Sequence, residues 1–392
     1  MTVHTLFLSG RIDSNNAPEV EKSLLASAEK KPDAEIVLDA ENLKYISSAG
    51  LRVLMKLRKR ANKAVPIVNV SQDVYNIMEV TGFTELFDVK KKIREVSVEG
   101  CELIGSGGYG KVYRLDPETI VKIYNPEISL AFVEGERNTS QKAFLMGIPT
   151  AISYDVVKCG SCYGVVYEML NARTTAQIIR ENPERIPEIS GKSAELLKTL
   201  HKIVPGADAG LPDRKQNLLN LFDSLSDIMT EAETEKVKGF VRSIPDRDTF
   251  LHGDYNAKNI MVRDGEFQLI DIGDAAVGHP VFDIVGLMLV YITLPNSRDS
   301  RFTDDERRAL LGFDFEYAPR VWEVMCGTYF GLSSSAEVEA MTKKLMPYCI
   351  LMMAAQGITL YGKNREAARM IIDKVLRERL LPAIDIAEPL DF

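Results

Sequence analysis

The stretch Leu251-His252-Gly253-Asp254-Tyr255-Asn256-Ala257-Lys258-Asn259-Ile260-Met261 decides how most of this chain is read. An Asp and an Asn at this spacing suit a loop in which Asp254 faces an acceptor hydroxyl and Asn259 faces a metal ion. His252 fits a brace for that loop better than a reacting group. Shortly downstream, Phe267-Gln268-Leu269-Ile270-Asp271-Ile272-Gly273 reads as an apolar strand delivering a carboxylate beside a glycine. Asp271 is then placed to hold Mg2+, because a hard cation takes oxygen ligands from one or two carboxylates.

Upstream, Gly105-Ser106-Gly107-Gly108-Tyr109-Gly110-Lys111-Val112 fits three phosphate-binding patterns at once. A dinucleotide-binding GxGxxG opens a helix, whereas these glycines lead into the strand-like Lys111–Leu115. A P-loop needs Ser or Thr where Val112 stands. What remains is a glycine-rich hairpin between two strands, whose amides can approach phosphates because no Cβ intervenes. Lys122, in Ile120-Val121-Lys122-Ile123-Tyr124, lies on a strand from which it can reach phosphates if a carboxylate holds it. Glu134 and Glu136 on the following helix are the candidates, and Glu136 is preferred because it lies nearer the helix middle. Each piece alone has a bland reading as a turn, a surface lysine or a structural carboxylate. Their order along one chain argues against coincidence.

The bulk numbers frame these motifs. A chain of 392 residues suits two or three domains. With 45% hydrophobic and 27% charged residues the composition is that of a globular protein. A net charge of -8 and a pI near 5.3 argue against nucleic acid as the main partner. Residues 1–97 hold fifteen Lys/Arg against thirteen Asp/Glu, so the remainder, with thirty-three against forty-three, carries the acidity. An acidic second part suits a cationic small substrate, although solvated helix faces account for Asp304, Asp305, Glu306, Asp314 and Glu316 more simply. The five cysteines show no framework spacing, and Cys159-Gly160-Ser161-Cys162 is a lone CxxC without a second pair, which argues against zinc. The opening residues do not resemble a signal peptide, and the apolar stretches Ile284–Leu294 and Met346–Ala355 are too short to span a bilayer. These features predict a cytoplasmic protein with reduced thiols and no membrane partner.

Residues 1–95 alternate strand and helix. Strands are expected over Thr5–Leu8, Glu35–Asp39 and Val65–Val70, and helices over Ala17–Ala28, Leu51–Asn62 and Tyr75–Thr81. A small α/β sheet follows. The segment Asp39–Leu54 reads as strand, loop and helix with Ser48 at the helix start. Ser48 is therefore expected as the N-cap, and its position also favours a phosphate. Beyond a junction near residues 92–99, strands are expected over Glu99–Ile104, Lys111–Leu115, Thr119–Tyr124, Ala151–Val157 and Gly164–Met169, with a helix over Leu130–Met146. From Thr174 the pattern is mostly helical, so residues 96–170 and 171–392 suit a β-rich and a helical lobe.

On the glycine loop, Lys122, Glu136, the His252-Gly253-Asp254 loop and Ile270-Asp271-Ile272-Gly273, residues from about 101 to 390 resemble the aminoglycoside phosphotransferase and choline kinase family, a branch of the protein-kinase-like fold. The resemblance implies a bilobal α+β domain and direct transfer of the γ-phosphoryl group of ATP to a hydroxyl. It implies Asp254 as catalytic base, Asn259 and Asp271 as magnesium ligands, and Lys122 with Glu136 orienting ATP. It adds Gly105, Gly107 and Gly110 over the phosphates, Glu168 to Leu170 as the segment receiving adenine, and Asp283 as a buttress of the catalytic loop. Asp274 is as readily structural as metal-binding. Residues 1–95 resemble the STAS domain of anti-sigma-factor antagonists, with Ser48 at the position of that family's regulatory serine. Ser47 and Ala49 depart from its Asp-Ser-Ser-Gly-Leu pattern. A small hydroxyl-bearing substrate is the leading expectation, with the STAS domain regulating the enzyme or docking a protein. Phosphorylation of a STAS-type serine, Ser48 in cis or trans, and a nucleotide-binding regulatory switch are the alternatives. Intact Lys122, Asp254, Asn259 and Asp271 argue against the switch.

Overall fold

Strand–helix alternation forces parallel pairing, because a crossover helix returns each strand to the same end of the sheet. The computed structural model describes residues 3–31, 34–61, 65–206, 209–296, 303–361 and 364–392. The chain forms two compact units, Met1–Ser97 with Val157–Ser161, and Val98–Val156 with Cys162–Phe392.

In the first unit β1 (Val3–Ile12), β2 (Glu35–Ile46), β3 (Ile67–Val70) and β4 (Val89–Lys91) form a sheet in that order, every pair parallel. Helices α1 (Ala17–Glu29), α2 (Ser48–Ala61), α3 (Gln72–Val80) and α4 (Phe83–Leu86) connect them. Leu38, Leu54, Ile67, Val70, Val74 and Met78 form its buried centre. Strand β2 is longer than its polar middle suggests, because the register from Ser9↔Asn42 to Ile12↔Ile46 carries it past Asp39.

That register also corrects the expected cap. The Ser47 N–H donates to Ile12 O at 2.9 Å, and its hydroxyl accepts from the N–H groups of Ala49 at 3.2 Å and Gly50 at 3.4 Å. Ser47 is therefore the N-cap of α2, and Ser48 is its first helical residue, with an exposed side chain. Gly50 is fixed by packing, since a Cβ there would lie 2.7 Å from both Ile12 Cγ2 and Ile46 Cγ1.

Five further strands, β5 (Leu103–Gly107), β6 (Gly110–Arg114), β7 (Thr119–Tyr124), β8 (Ser153–Cys159) and β9 (Cys162–Glu168), lie in the order β8-β9-β7-β6-β5 and belong to the second unit except for the end of β8 from Val157. Helix α5 (Leu130–Leu145) packs on β9, with Tyr124, Val133 and Val165 as the local core. The strand expected from Glu99 begins only at Leu103, after a turn at Gly100 with φ +78°. The remainder is helical around one large core, apart from short strands. Two of these, Ile260–Arg263 and Glu266–Leu269, form a hairpin turned at Asp264 and Gly265, both at positive φ. Two others, Thr249–Leu251 and Ala276–Gly278, pair antiparallel and carry the loops that follow and precede them. Among the described residues no helix is long and apolar enough to cross a membrane.

Candidate active site

A strand, a helix and two loop segments converge in the second unit. Strand β7 supplies Lys122, α5 supplies Glu136, and the hairpin Ile260–Leu269 spaces the segment of Asp254 and Asn259 from that of Asp271. Lys122 Nζ donates to Glu136 Oε1 at 2.7 Å and to Asp271 Oδ1 at 2.6 Å. Glu136, not Glu134, is thus the carboxylate on the lysine. Burial alone would lower the lysine pKa; the charges of Asp271 and Glu136 reverse that effect and keep it raised. Gly273 makes the arrangement possible, since a Cβ there would lie 2.3 Å from Glu136 Cγ. Asp271 itself sits in left-handed backbone with φ 57° and ψ 51°, unusual for a side chain with a Cβ.

Asp254 and Asn259 are locked together. Asn259 Nδ2 donates to the backbone O of Asp254 at 2.9 Å and to its Oδ2 at 2.8 Å, while Asn256 Nδ2 donates to Oδ1 at 3.0 Å. One edge of Asp254 is open to solvent, but protein crowds its carboxyl elsewhere. That desolvation, with the nearby charges of Asp274 and Asp271, outweighs the hydrogen bond from Asn259 and pushes the pKa up to about 6. The turn before it requires glycine: Gly253 has φ +86°, and a Cβ there would meet Asp274 O at 2.2 Å and Arg214 Nη2 at 2.8 Å.

Asp283 fixes the same loop from beneath. Its carboxylate accepts the His252 N–H at 2.8 Å and the Gly253 N–H at 2.9 Å, and it meets His201 Nε2 at 3.2 Å. Tyr329 Oη lies 2.7 Å from His201 Nδ1, completing a buried chain. Burial would raise the Asp283 pKa, and the hydrogen bonds and charge of His201 bring it below the usual value instead. His252 is fully buried, and burial lowers its pKa, so its Nδ1 serves as acceptor for the Asp254 N–H at 3.3 Å. His252 braces the loop as a neutral ring.

The glycine hairpin pairs Gly105 with Val112 and Gly107 with Gly110. Asn125 holds its tip, donating from Nδ2 to Gly108 O and from its backbone N–H to Tyr109 O, both at 2.9 Å. Gly110 is required by the neighbouring strand, since a Cβ would sit 2.1 Å from Ile123 O, whereas Gly107 has open space. Below lies a cleft of about 340 Å3 lined by Gly105, Val112, Lys122, Glu168, Leu170 and Asp271 among others. Glu168 is partly committed to the fold: its backbone N–H donates to Ile152 O at 2.9 Å and its carboxylate accepts the Ile152 N–H at 3.3 Å.

Sequence reasoning missed His201, Tyr329 and Arg214, whose Nη2 donates to Asp274 O at 3.1 Å. They join the site across 60 to 128 residues of chain, and no local pattern marks them. In the sequence Tyr109 stands out only as part of the glycine motif. The structure stacks it on Phe132, with ring centroids 5.8 Å apart, and the carboxylates of Asp274, Glu136 and Asp254 reinforce the effect of burial in raising its pKa.

The family model described as the phosphotransferase enzyme family matches residues 100–323. The chain belongs to that family. It is a phosphotransferase, and its first unit is a STAS domain, matched by the model of that description over residues 2–96. A curated relative, "Putative anti-sigma factor antagonist BtrV" of Bordetella bronchiseptica, is 34% identical over 85 residues, spanning 21% of this chain and 72% of that protein. Among solved structures, the aminoglycoside phosphotransferase APH(2")-IIa in a ternary complex with streptomycin and ATP is 17% identical with a TM-score of 0.46, covering 81% of this chain and 99% of that one. A choline/ethanolamine kinase family protein from Mesorhizobium loti is 16% identical with a TM-score of 0.44, covering 73% and 92%.

Proposed function

We propose that the phosphotransferase unit moves the γ-phosphoryl group of ATP to the hydroxyl of a small molecule. The observation that carries this reading is the bonding of Lys122 to both Glu136 and Asp271, beside a glycine hairpin and an Asp254–Asn259 pair. ATP would lie in the cleft under Gly105, Gly107 and Gly110, its phosphates against Lys122 and its adenine along Glu168 to Leu170. The acceptor O–H gives its proton to the Asp254 carboxylate as its oxygen bonds to the γ-phosphorus. The bond from that phosphorus to the β-bridging oxygen breaks, and ADP leaves with the electron pair.

The donor set fits Mg2+. Asn259 spends its amide N–H groups on Asp254, which leaves its carbonyl oxygen for a cation, and Asp271 offers a carboxylate. Bound there, Mg2+ would neutralise phosphate charge. Positioning is the protein's own part: Asp283, His252 and Asn259 fix Asp254, and Glu136 fixes Lys122. Residues 1–95, 96–170 and 171–392 are the working boundaries of the STAS domain and the two lobes, and the STAS domain is assigned regulation or protein docking.

Acceptor-dependent ADP release tests this reading. It requires turnover in the wild type, none in Asp254→Asn, and retained ATP binding in both. A second reading, phosphorylation of Ser48, is favoured by one observation: Ser47 does the capping, so the exposed Ser48 hydroxyl has no hydrogen bond among the described residues. The intact mass after incubation with Mg-ATP, with fragments placing any gain, separates the two.

A further inference from the structure

The phosphotransferase unit is acidic as a whole, yet cations wall one of its cavities. An open cavity of about 310 Å3 is lined by Arg180, Arg308, Ala309, Gly312, Phe313 and Asp314. It adjoins the catalytic loop. Lys258, the residue before Asn259, donates from Nζ to Ala309 O at 3.1 Å. Gly312, at φ +80°, passes so close that a Cβ there would lie 3.2 Å from Lys258 Cγ and 2.9 Å from Ala176 Cβ.

The wall is built rather than loose. The Ala176 N–H and the Thr175 hydroxyl both donate to Ala257 O at 2.9 Å. Phe313 is buried and stacks on Tyr291 at 6.2 Å, and Tyr291 Oη accepts the Ala257 N–H at 2.8 Å. The cavity and the loop bearing Asp254 therefore share their supports.

Charge decides what the cavity can hold. Arg308 is engaged by Asp314 at 2.9 Å and by Asp305 at 3.1 Å. Arg180, exposed in the helix Thr175–Glu181, has no carboxylate partner among the described residues, and neither does Lys258. A cationic group here would meet two unneutralised cations, while a carboxylate or phosphate would find charge-assisted donors.

We propose that this cavity is an acceptor subsite for an anionic group, so that the substrate is a hydroxyl compound also bearing a carboxylate or phosphate. The proposal rests on the phosphotransfer reading above. Its hydroxyl would lie at Asp254 and its anion at Arg180, with Lys258 and Arg308 alongside. Hydroxy acids and sugar phosphates have this chemistry; aminoalcohols and aminoglycosides carry the opposite charge.

The test measures Asp254-dependent ADP release with Mg-ATP over hydroxy acids, sugar phosphates, aminoalcohols and aminoglycosides, for the full chain and for Arg180→Gln. Turnover of an anionic acceptor is expected, with KM rising roughly tenfold in Arg180→Gln and kcat falling far less than KM rises. Arg180→Lys, which keeps the charge, should recover part of the loss. Saturable turnover of a cationic acceptor with KM indifferent to Arg180→Gln overturns the proposal and leaves phosphotransfer standing. If no acceptor turns over, calorimetric titration of inorganic phosphate into the ADP-saturated protein decides. Binding lost in Arg180→Gln supports the subsite, and no binding, or equal binding in both, overturns it. Failure to bind ADP at all defeats the phosphotransfer reading instead.

Discussion

The Lys122 ammonium and the Asp271 carboxylate meet at 2.6 Å across 149 residues of sequence. The same ammonium holds Glu136, whose side chain is only 8% exposed. Removing the lysine would leave a buried carboxylate without its cation. Lys122→Met is expected to lower the affinity for ADP by at least about tenfold and to destabilise the fold by about 3 kcal/mol. Calorimetric titration and thermal unfolding check the two effects separately.

In the proposed role of base, Asp254 must be ionised to accept a proton, and its pKa is pushed up to about 6. Activity should therefore fall as pH drops through about 6, giving an acid limb in kcat/KM. The folded protein also holds this proton more tightly than the unfolded chain, where the usual value is 3.8. Its contribution makes stability decline as pH rises from 3.8 towards about 6, and Asp254→Asn should lack that decline. Rate profiles and unfolding at several pH values measure both.

Two glycines separate packing from chemistry. Gly253→Ala places a Cβ 2.2 Å from Asp274 O at a positive φ, so it should displace the catalytic loop, lower Tm and depress kcat. Gly107→Ala has open space, so its effect on stability should stay within about 0.5 kcal/mol, while in the proposed function ATP affinity should fall because a Cβ hinders close approach of phosphates to the hairpin amides. Thermal unfolding beside steady-state kinetics distinguishes them.

The corrected cap yields a paired test in the STAS domain. Ser47→Ala should cost about 1 kcal/mol of local stability in the helix Ser48–Ala61, and Ser48→Ala much less. Amide hydrogen exchange of that helix in the full chain measures the difference.

Legibility followed sequence distance. The catalytic loop, the carboxylate after it and the glycine hairpin are local patterns, so they could be read directly. Choosing Glu136 over Glu134 needed only the position along one helix. His201 and Tyr329 could not be found, because their roles exist only where helices 128 residues apart in sequence meet Asp283. Ser47 was missed by one residue, since the pairing of Ile12 with Ile46, which no propensity reveals, sets where the strand stops. The cationic cavity was hidden for the same reason: Arg180 and Arg308 are remote in sequence, and the surrounding acidity pointed the other way.

The close approach of Gly273 to Glu136 implies a genetic interaction. A methyl group at 273 would strike Glu136 Cγ, and truncating that side chain at Cβ would give the space back. Glu136→Ala should therefore act as a second-site suppressor of Gly273→Ala for soluble expression, and the double variant should remain inactive because position 136 no longer offers Lys122 a carboxylate. Rescue of folding without rescue of turnover would mark residue 273 as a spacer, set by the girth of its neighbour rather than by any chemistry of its own.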